Sequence, residues 1–561
     1  MGNLFLDITI IISIAAFLSL IFRILKQPEI LAYILTGIIV GPFVVMGPAN
    51  QNVLQTMSQI GITLLLFMVG LEIRVSDLFT FGKTLLVIAL GQIFITFTIG
   101  FLIASALGMT VLTAFYIGIA LTFSTTVIIV KILSDKRDLH SLYAKISLVI
   151  LLAQDLLAIL LLMFLSGFYQ GTSGVSVIQL VMIALKGIVL FGWVIFLSIN
   201  VFPKLFEFIA KSSETLFLVS IAWVLGLTAI VSSQYVGFSI EIGGFLAGLA
   251  LANSIVNYQI IAKAKILRDF FIVIFFVLLG AQMSFANLSQ ILLPAIILSL
   301  FVLIIKPIIV MFILGFIGYR KRTSFLTGIT LSQISEFSLI IIFLGGRLGH
   351  IPQNIVSLIT LVGLISFTFS AYIIQNGNKL YLFFGKKISF LERKTGKKDE
   401  IMPIDGFENL KDHIVVVGGD QMGKSILDAL EDLKDEVVLI DFDPGVVKEV
   451  GGKKVHRLFG DIADLDIQEK AQIDSAKLVI STIPDAEDSL LLLKELKHEN
   501  RKAKVVVMAL DSHDAKLLYK AGADYVILPH LAGGRQIAKI LSEKSLSDID
   551  SLKKKDLEYL N

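Results

Sequence analysis

At 561 residues, with 56% hydrophobic side chains and a mean hydropathy of +0.86, the chain is more apolar than soluble proteins, whose apolar share is about 45 to 50%. The absence of cysteine excludes disulfide frameworks, thiolate metal sites and cysteine nucleophiles, and the 7 histidines show no metal-ligand spacing. The formal charge of +3 identifies no partner, because the basic residues are distributed by topology, and no nucleic-acid partner is expected.

Apolar runs of ~20 residues recur from Leu4 to Gln375, after which the sequence turns charged and ordinary. The first run is long enough to span and ends without a small-residue cleavage pattern, so no cleavable signal peptide is expected. A hydrocarbon core of ~30 Å predicts about thirteen spans, near 4–24, 29–46, 57–73, 83–107, 111–133, 143–168, 176–202, 213–235, 237–254, 268–284, 288–317, 323–347 and 353–376. Alternate connections carry the basic residues: Arg23 and Lys26, Arg74 and Lys83, Lys136 and Arg137, Lys204 and Lys211, Lys263 with Lys265 and Arg268, and Arg320 to Arg322. The positive-inside bias makes that set cytoplasmic, with the N-terminus outside and the C-terminal domain in the cytoplasm.

Polar residues interrupt four spans near mid-depth. In the fifth span, Thr122, Ser124, Thr125 and Thr126 stand in LTFSTTVIIV. Hydroxyls at that density can satisfy freed backbone groups, predicting a broken helix, with small-residue packing between helices as the alternative. The sixth span centres on Gln154 and Asp155 in LLAQDLLAI. A carboxylate there costs about 2.5 to 3.5 kcal/mol on insertion scales and marks a functional site by default. Lys306 lies too deep in the eleventh span to snorkel, and Pro307 beside it predicts a kink. In the twelfth, Ser332, Gln333, Ser335 and Glu336 predict a second broken helix, with Ser332 and Glu336 on one face. The fourth to sixth spans match the eleventh to thirteenth at an odd displacement, which predicts inverted repeats. Glu241 reads as near the outer end of its span, Lys186 as paired or facing a cavity, and Glu72 and Asp269 as solvated helix ends.

An aromatic and basic segment follows Gln375, suited to the membrane surface. The pattern then becomes short β runs alternating with helices: HIVVVGG, EVVLID, KVHRLFGD, KLVISTI, KVVVMAL and YVILP. A doubly wound α/β domain is predicted. Its first turn runs from Gly418 to Gly423 between a strand and a helix, Asp441 ends the next strand, and Asp461 closes the third run. These are the positions of a dinucleotide-binding fingerprint. Asp420 takes the place of the second glycine and sets bulk and negative charge where a pyrophosphate would lie. Asp441 could hold a ribose, favouring an adenosine nucleotide or NAD over NADP, with a ligand-free dimerisation module as the alternative. The expected domains are 1–376 (transmembrane), 377–410 (linker), 411–545 (α/β) and 546–561 (charged tail).

Gln154-Asp155, FSTTVIIVKIL, FFIVIFFVLLGAQM and SQISEFSLIIIFLG resemble the Kef-type potassium/proton antiporters of the monovalent cation:proton antiporter-2 family, and the α/β domain resembles the RCK or TrkA-N type. The resemblance implies an α-helical polytopic membrane protein with crossed broken helices, working as a dimeric elevator in the cell membrane, in contact with lipid and through both domains. It further implies that Asp155 alternately binds a proton and a cation, that Gln154 replaces a second Asp of electrogenic exchangers, and that Lys306 is the family's charged position facing the acid. Thr125, Thr126 and Ser332 could complete a monovalent-cation shell, and Glu336 is the next candidate. Where Kef-like members carry paired glycines before that Glu, this chain has Ile334-Ser335. K+/H+ exchange, electroneutral and needing no cofactor, is expected, regulated by AMP, ATP or NAD(H). The alternatives are Na+/H+ exchange and a ligand-gated K+ channel, which the missing TVGYG-like filter disfavours. An oxidoreductase on a membrane anchor lacks any substrate domain.

Overall fold

The computed structural model describes residues 4–43, 48–72, 83–136, 138–139, 141–167, 177–209, 212–233, 236–252, 254, 256–283, 288–319, 321–384, 410–430, 435–441, 446–447, 455–460, 462, 465–484, 486–498 and 503–542. The chain divides into a helical unit and an α/β unit.

The helical unit runs through α1 (Leu4–Ile24), α2 (Glu29–Phe43), α3 (Pro48–Glu72), α4 (Lys83–Ala106), α5 (Val111–Thr122), α6 (Thr126–Asp135), α7 (Leu142–Gly167), α8 (Val177–Asn200) and α9 (Phe202–Ile209). It continues with α10 (Ser213–Val231), α11 (Ile240–Leu251), α12 (Asn257–Ala281), α13 (Leu288–Leu300), a π-helical stretch (Phe301–Ile305), α14 (Lys306–Ile317), α15 (Lys321–Thr330), α16 (Glu336–Arg347), α17 (Gln353–Gln375) and α18 (Gly377–Phe384). Among the described residues, 8 helical stretches are long and apolar enough to cross a membrane, and Glu29–Gly41, Leu185–Asn200 and Ile240–Leu251 are shorter apolar helices. Exposed Phe94, Leu102, Ile188, Phe312 and Phe316 are what a lipid-facing surface requires.

Helix α12 begins at Asn257, well before the span expected from 268. Backbone hydrogen bonding carries the helix through the charged stretch NYQIIAKAKILRD, which a hydropathy run cannot register. Helix α3 packs on α11 and α12, and α12 on α2, at backbone distance. A Cβ at Gly280 would run into the Ile34 carbonyl of α2, and one at Gly248 into the Phe67 carbonyl of α3. Such contact replaces the hydrophobic drive that lipid removes. Helix α5 packs on α4 and α16, and α14 packs on α15 and α4, so both polar interruptions lie within this second group.

Around Lys306 the kink expected from Pro307 takes the form of the π-helical stretch. The Lys306 amide donates to the Phe301 carbonyl, five residues back. A wider turn just before a proline relieves the clash of its ring with the preceding turn.

In the α/β unit each expected strand is present: β1 (Ile414–Val417), β2 (Val437–Asp441), β3 (Val455–Phe459), β4 (Leu478–Ser481), β5 (Lys504–Met508) and β6 (Tyr525–Ile527). Between and after them lie α19 (Gln421–Leu430), α20 (Leu465–Lys470), α21 (Ala486–His498), α22 (Ser512–Ala521) and α23 (Pro529–Ser542). All neighbouring strands are parallel in the order β3-β2-β1-β4-β5-β6. β1 and β2 are buried at every position, as continuous apolar runs covered on both faces must be. The order reverses between β1 and β4, and in such sheets ligands bind at that crevice.

Candidate functional site: two helix breaks and two carboxylates

Two segments leave helical geometry inside the helical unit. The first is Phe123–Thr125, with Phe123 at φ −80°, ψ 151° and Thr125 at φ −78°, ψ 127°. The second is Leu331–Ser335, ending with Ser335 at φ −100°, ψ 159°. Both breaks fall where hydroxyl density predicts them. The second forms without the paired glycines, because extended φ and ψ suit any residue. Ser335 instead starts α16 by a reciprocal cap: its Oγ accepts from Phe337 N at 3.1 Å, and its own N donates to Ser338 Oγ at 3.2 Å.

A break in hydrocarbon must satisfy the backbone groups it frees, and here the two breaks do so together. Ser124 Oγ donates to the Leu331 carbonyl at 3.0 Å. Lys306 Nζ donates to the Phe123 carbonyl at 3.0 Å and the Gln333 carbonyl at 2.9 Å. Ser124 N donates to Gln154 Oε1 at 2.8 Å, and Gln154 Nε2 to Gln92 Oε1 at 2.6 Å. Gln154, Lys306, Ser332 and Gln333 are completely buried.

The carboxylates flank this crossing. Asp155 Oδ2 accepts from Thr126 Oγ1 at 2.6 Å, and Asp155 Oδ1 is buried with no hydrogen-bond partner. Glu336 Oε1 accepts from Thr125 Oγ1 at 3.4 Å. Consecutive threonines therefore serve different acids. A buried carboxylate oxygen without a donor is the kind of atom a proton or a desolvated cation completes.

Three expectations change. Lys306 was expected to face the acid, whereas its ammonium binds the carbonyls of the two breaks, whose exposed C=O groups concentrate negative potential in front of it. Ser332 does not share a helical face with Glu336, because the helix stops at Thr330. Its hydroxyl donates to the Ile329 carbonyl at 2.6 Å and is occupied in ending α15. Gln154, taken as an ion-site residue, uses both ends of its amide on protein groups. Gln92 was not singled out, although an amide in LVIALGQIFITF is a polar interruption like the others.

At the first βα turn, Gly418 takes φ +91°, the left-handed region that glycine favours, and a Cβ at Gly423 would collide with the Gly418 carbonyl. Those are the tight-turn and close-packing roles of the outer glycines in a dinucleotide fingerprint. Asp420 is exposed immediately before α19. Asp441 is buried and its Oδ2 accepts from Gly419 N at 2.7 Å, so one oxygen of the expected ribose ligand holds the turn. Asp461 lies outside the described residues.

The model of the family "Sodium/hydrogen exchanger, transmembrane" matches residues 10–375, and that of the TrkA-N domain matches 414–529. The chain belongs to the sodium/hydrogen exchanger family. It is 25% identical to the putative cation/proton antiporter YbaL of Escherichia coli over 94% of this chain and 95% of that protein. It is 23% identical to the putative K(+) efflux antiporter KefB of Alkalimonas amylolytica, over 95% and 80%. The Na(+)/H(+)-K(+) antiporter GerN of Bacillus cereus is 26% identical over 61% of this chain and 88% of that protein. The solved sodium proton antiporter MjNhaP1 of Methanocaldococcus jannaschii shares the fold, with a TM-score of 0.50 and 18% identity over 68% of this chain and 98% of that one. This exchanger is thus a membrane cation/proton antiporter of Kef type carrying a TrkA-N domain, and its relatives are transporters rather than enzymes.

The exchanger's other charges have local accounts. Glu241 is buried in the first turn of α11, where the helix dipole favours an acid. Lys186 Nζ donates to the Val236 carbonyl at 3.4 Å. Glu72 ends α3 and is exposed, and Asp269 pairs with Arg268 at 2.7 Å.

Proposed function

We propose that this exchanger moves a monovalent cation, K+ in preference to Na+, against H+ by alternating access, with Asp155 as the group that holds one or the other. The observation carrying this reading is the buried, unpartnered Asp155 Oδ1 beside the helix crossing, with Thr126 on the second oxygen. One carboxylate neutralised either by a proton or by one cation exchanges them one for one, and the neutral Gln154 adds no second titrating group. Electroneutral transport follows. The Thr125 and Thr126 hydroxyls are the nearest candidates to complete a cation shell, and Glu336 is an acid that senses occupancy of the site across Thr125. The names of the Alkalimonas and Bacillus relatives support K+ as a substrate, and the second of them keeps Na+ as the rival.

In this reading about thirteen spans place the N-terminus outside and the TrkA-N domain in the cytoplasm, in a homodimer at the cell membrane. The group α2, α3, α11 and α12 is the fixed part, and the group with both breaks moves as the carrier. Domain limits of 1–376, 377–410, 411–545 and 546–561 accompany it. The α/β domain regulates transport by binding an adenine nucleotide, AMP, ATP or NAD(H), at the β1–α19 turn, where Asp420 disfavours a bound pyrophosphate. Proton flux from proteoliposomes under K+, Na+, Rb+ or Li+, with and without an imposed potential, tests the transport reading. Current, or flux without proton coupling, would favour a channel. Calorimetry of the full-length exchanger with AMP, ATP and NADH tests the regulatory one, and silence from all three would remove it.

A further inference from the structure

The break at Phe123–Thr125 frees a backbone donor at Ser124 and an acceptor at Thr122, and one side-chain chain joins them. Ser124 N donates to Gln154 Oε1 at 2.8 Å, Gln154 Nε2 donates to Gln92 Oε1 at 2.6 Å, and Gln92 Nε2 donates to Thr96 Oγ1 at 2.9 Å and the Thr122 carbonyl at 3.5 Å. Gln92, Thr96 and Gln154 are completely buried. The direction of this chain is forced by its ends. A backbone N–H can only donate, so Gln154 must turn its oxygen to Ser124 and its NH2 to Gln92. A backbone carbonyl can only accept, so Gln92 must turn its NH2 to Thr122 and its oxygen to Gln154.

We propose that Gln92 is a positioning residue for exchange, holding Gln154 in one orientation so that the first break stays in register beside Asp155. The proposal rests on the reading of Asp155 as the exchange site. A carboxylate at 154 could accept from Ser124 but would face the Gln92 carbonyl oxygen. Reversing the Gln92 amide to relieve that contact would set its oxygen against the Thr122 carbonyl. A second charge beside Asp155 is therefore disfavoured by a residue on a different helix. Because Thr126 directly follows the break, a change in register there moves the hydroxyl on Asp155.

The test uses the full-length protein in proteoliposomes: wild type, Gln92→Met, Gln154→Met and the double variant. Half-saturating cation concentration, the pH midpoint of exchange and the thermal midpoint are measured for each. Either single substitution should raise half-saturation about tenfold and displace the pH midpoint, and the double variant should go no further, because both remove one chain of bonds. Fully additive effects, or a Gln92→Met protein with a lowered thermal midpoint but the wild-type half-saturation and pH profile, would overturn the proposal. Gln92→Glu covers poor folding of the Met variants. Its protonated form keeps an oxygen for Gln154 and a donor for Thr96 or Thr122, so it should exchange like wild type at the acid end of the pH range and lose exchange where the acid ionises, and a well-folded Gln92→Glu protein impaired at every pH would count against the proposal. Coupled exchange in the wild type, and its loss in Asp155→Asn, test the underlying transport reading separately.

Discussion

The Thr126 hydroxyl donates to Asp155 Oδ2 at 2.6 Å from the first residue of the helix that resumes after the break. The bond links the register of the break to the carboxylate, since a hydroxyl can donate to a carboxylate whether or not a cation is bound. Thr126→Val keeps the shape and removes the donor. The pH midpoint of exchange should be displaced in this variant, and half-saturating cation concentration should rise about tenfold. A variant with the wild-type pH profile would show that the hydroxyl plays no part in the exchange.

Lys306 gives a second prediction. Lys306→Met leaves the Phe123 and Gln333 carbonyls without their ammonium donor, and each unsatisfied buried acceptor costs about 1 to 3 kcal/mol. The thermal midpoint in detergent should fall and transport should be lost together with it. Lys306→Arg keeps the charge, but its planar fork is a poorer match for two divergent carbonyls, so it should restore stability only in part. A Lys306→Met protein of unchanged thermal midpoint would contradict the bridging role.

The breaks were legible in the sequence because hydroxyls clustered where apolar residues belonged, and the strands because six apolar runs alternated with helical patterns. The partners at the crossing were not legible. That Lys306 faces the acid is what the family resemblance implies, whereas its observed acceptors are main-chain carbonyls freed only after two distant helices have broken side by side. Ser332 was misplaced for a related reason: a four-residue spacing to Glu336 has meaning only where the helix is continuous. As a single amide in an apolar helix, Gln92 carries no charge signal in the sequence, and its role depends on Gln154 from another span.

At Gln154 a further substitution distinguishes a structural amide from a replaced acid. Gln154→Asp restores the residue type of electrogenic exchangers but is one methylene shorter, and its charge would face Gln92 Oε1. The expected result is loss of exchange, with no potential-dependent transport gained. Robust potential-driven proton flux from Gln154→Asp would show instead that position 154 accepts a titrating group freely.

In the α/β unit, His413 Nε2 lies 2.9 Å from the Ala471 carbonyl, while Nδ1 is buried without a partner. A proton on Nδ1 would be stranded there, and burial holds the imidazole below its ordinary range. The unfolded chain takes up that proton near pH ~6.5, whereas the folded domain does so only at lower pH. Stability is therefore full above the unfolded value and falls as pH drops toward the folded one. Protection factors of the β1 amides in the full-length exchanger, with the intrinsic exchange rate at each pH divided out, should fall as the pH is lowered from about 7.5 to about 5.5, a range that brackets the unfolded value. His413→Gln, which can still donate to Ala471, should flatten the dependence, and an unchanged profile would assign the effect to other groups.

The central claim is that Asp155 is the group exchanged between proton and cation. Its direct test is proton flux from proteoliposomes driven by a K+ gradient, comparing wild type with Asp155→Asn of equal thermal midpoint. Wild type should show K+-dependent proton flux insensitive to an imposed potential, and Asp155→Asn should show none. Cation-coupled proton flux persisting in Asp155→Asn would contradict the account.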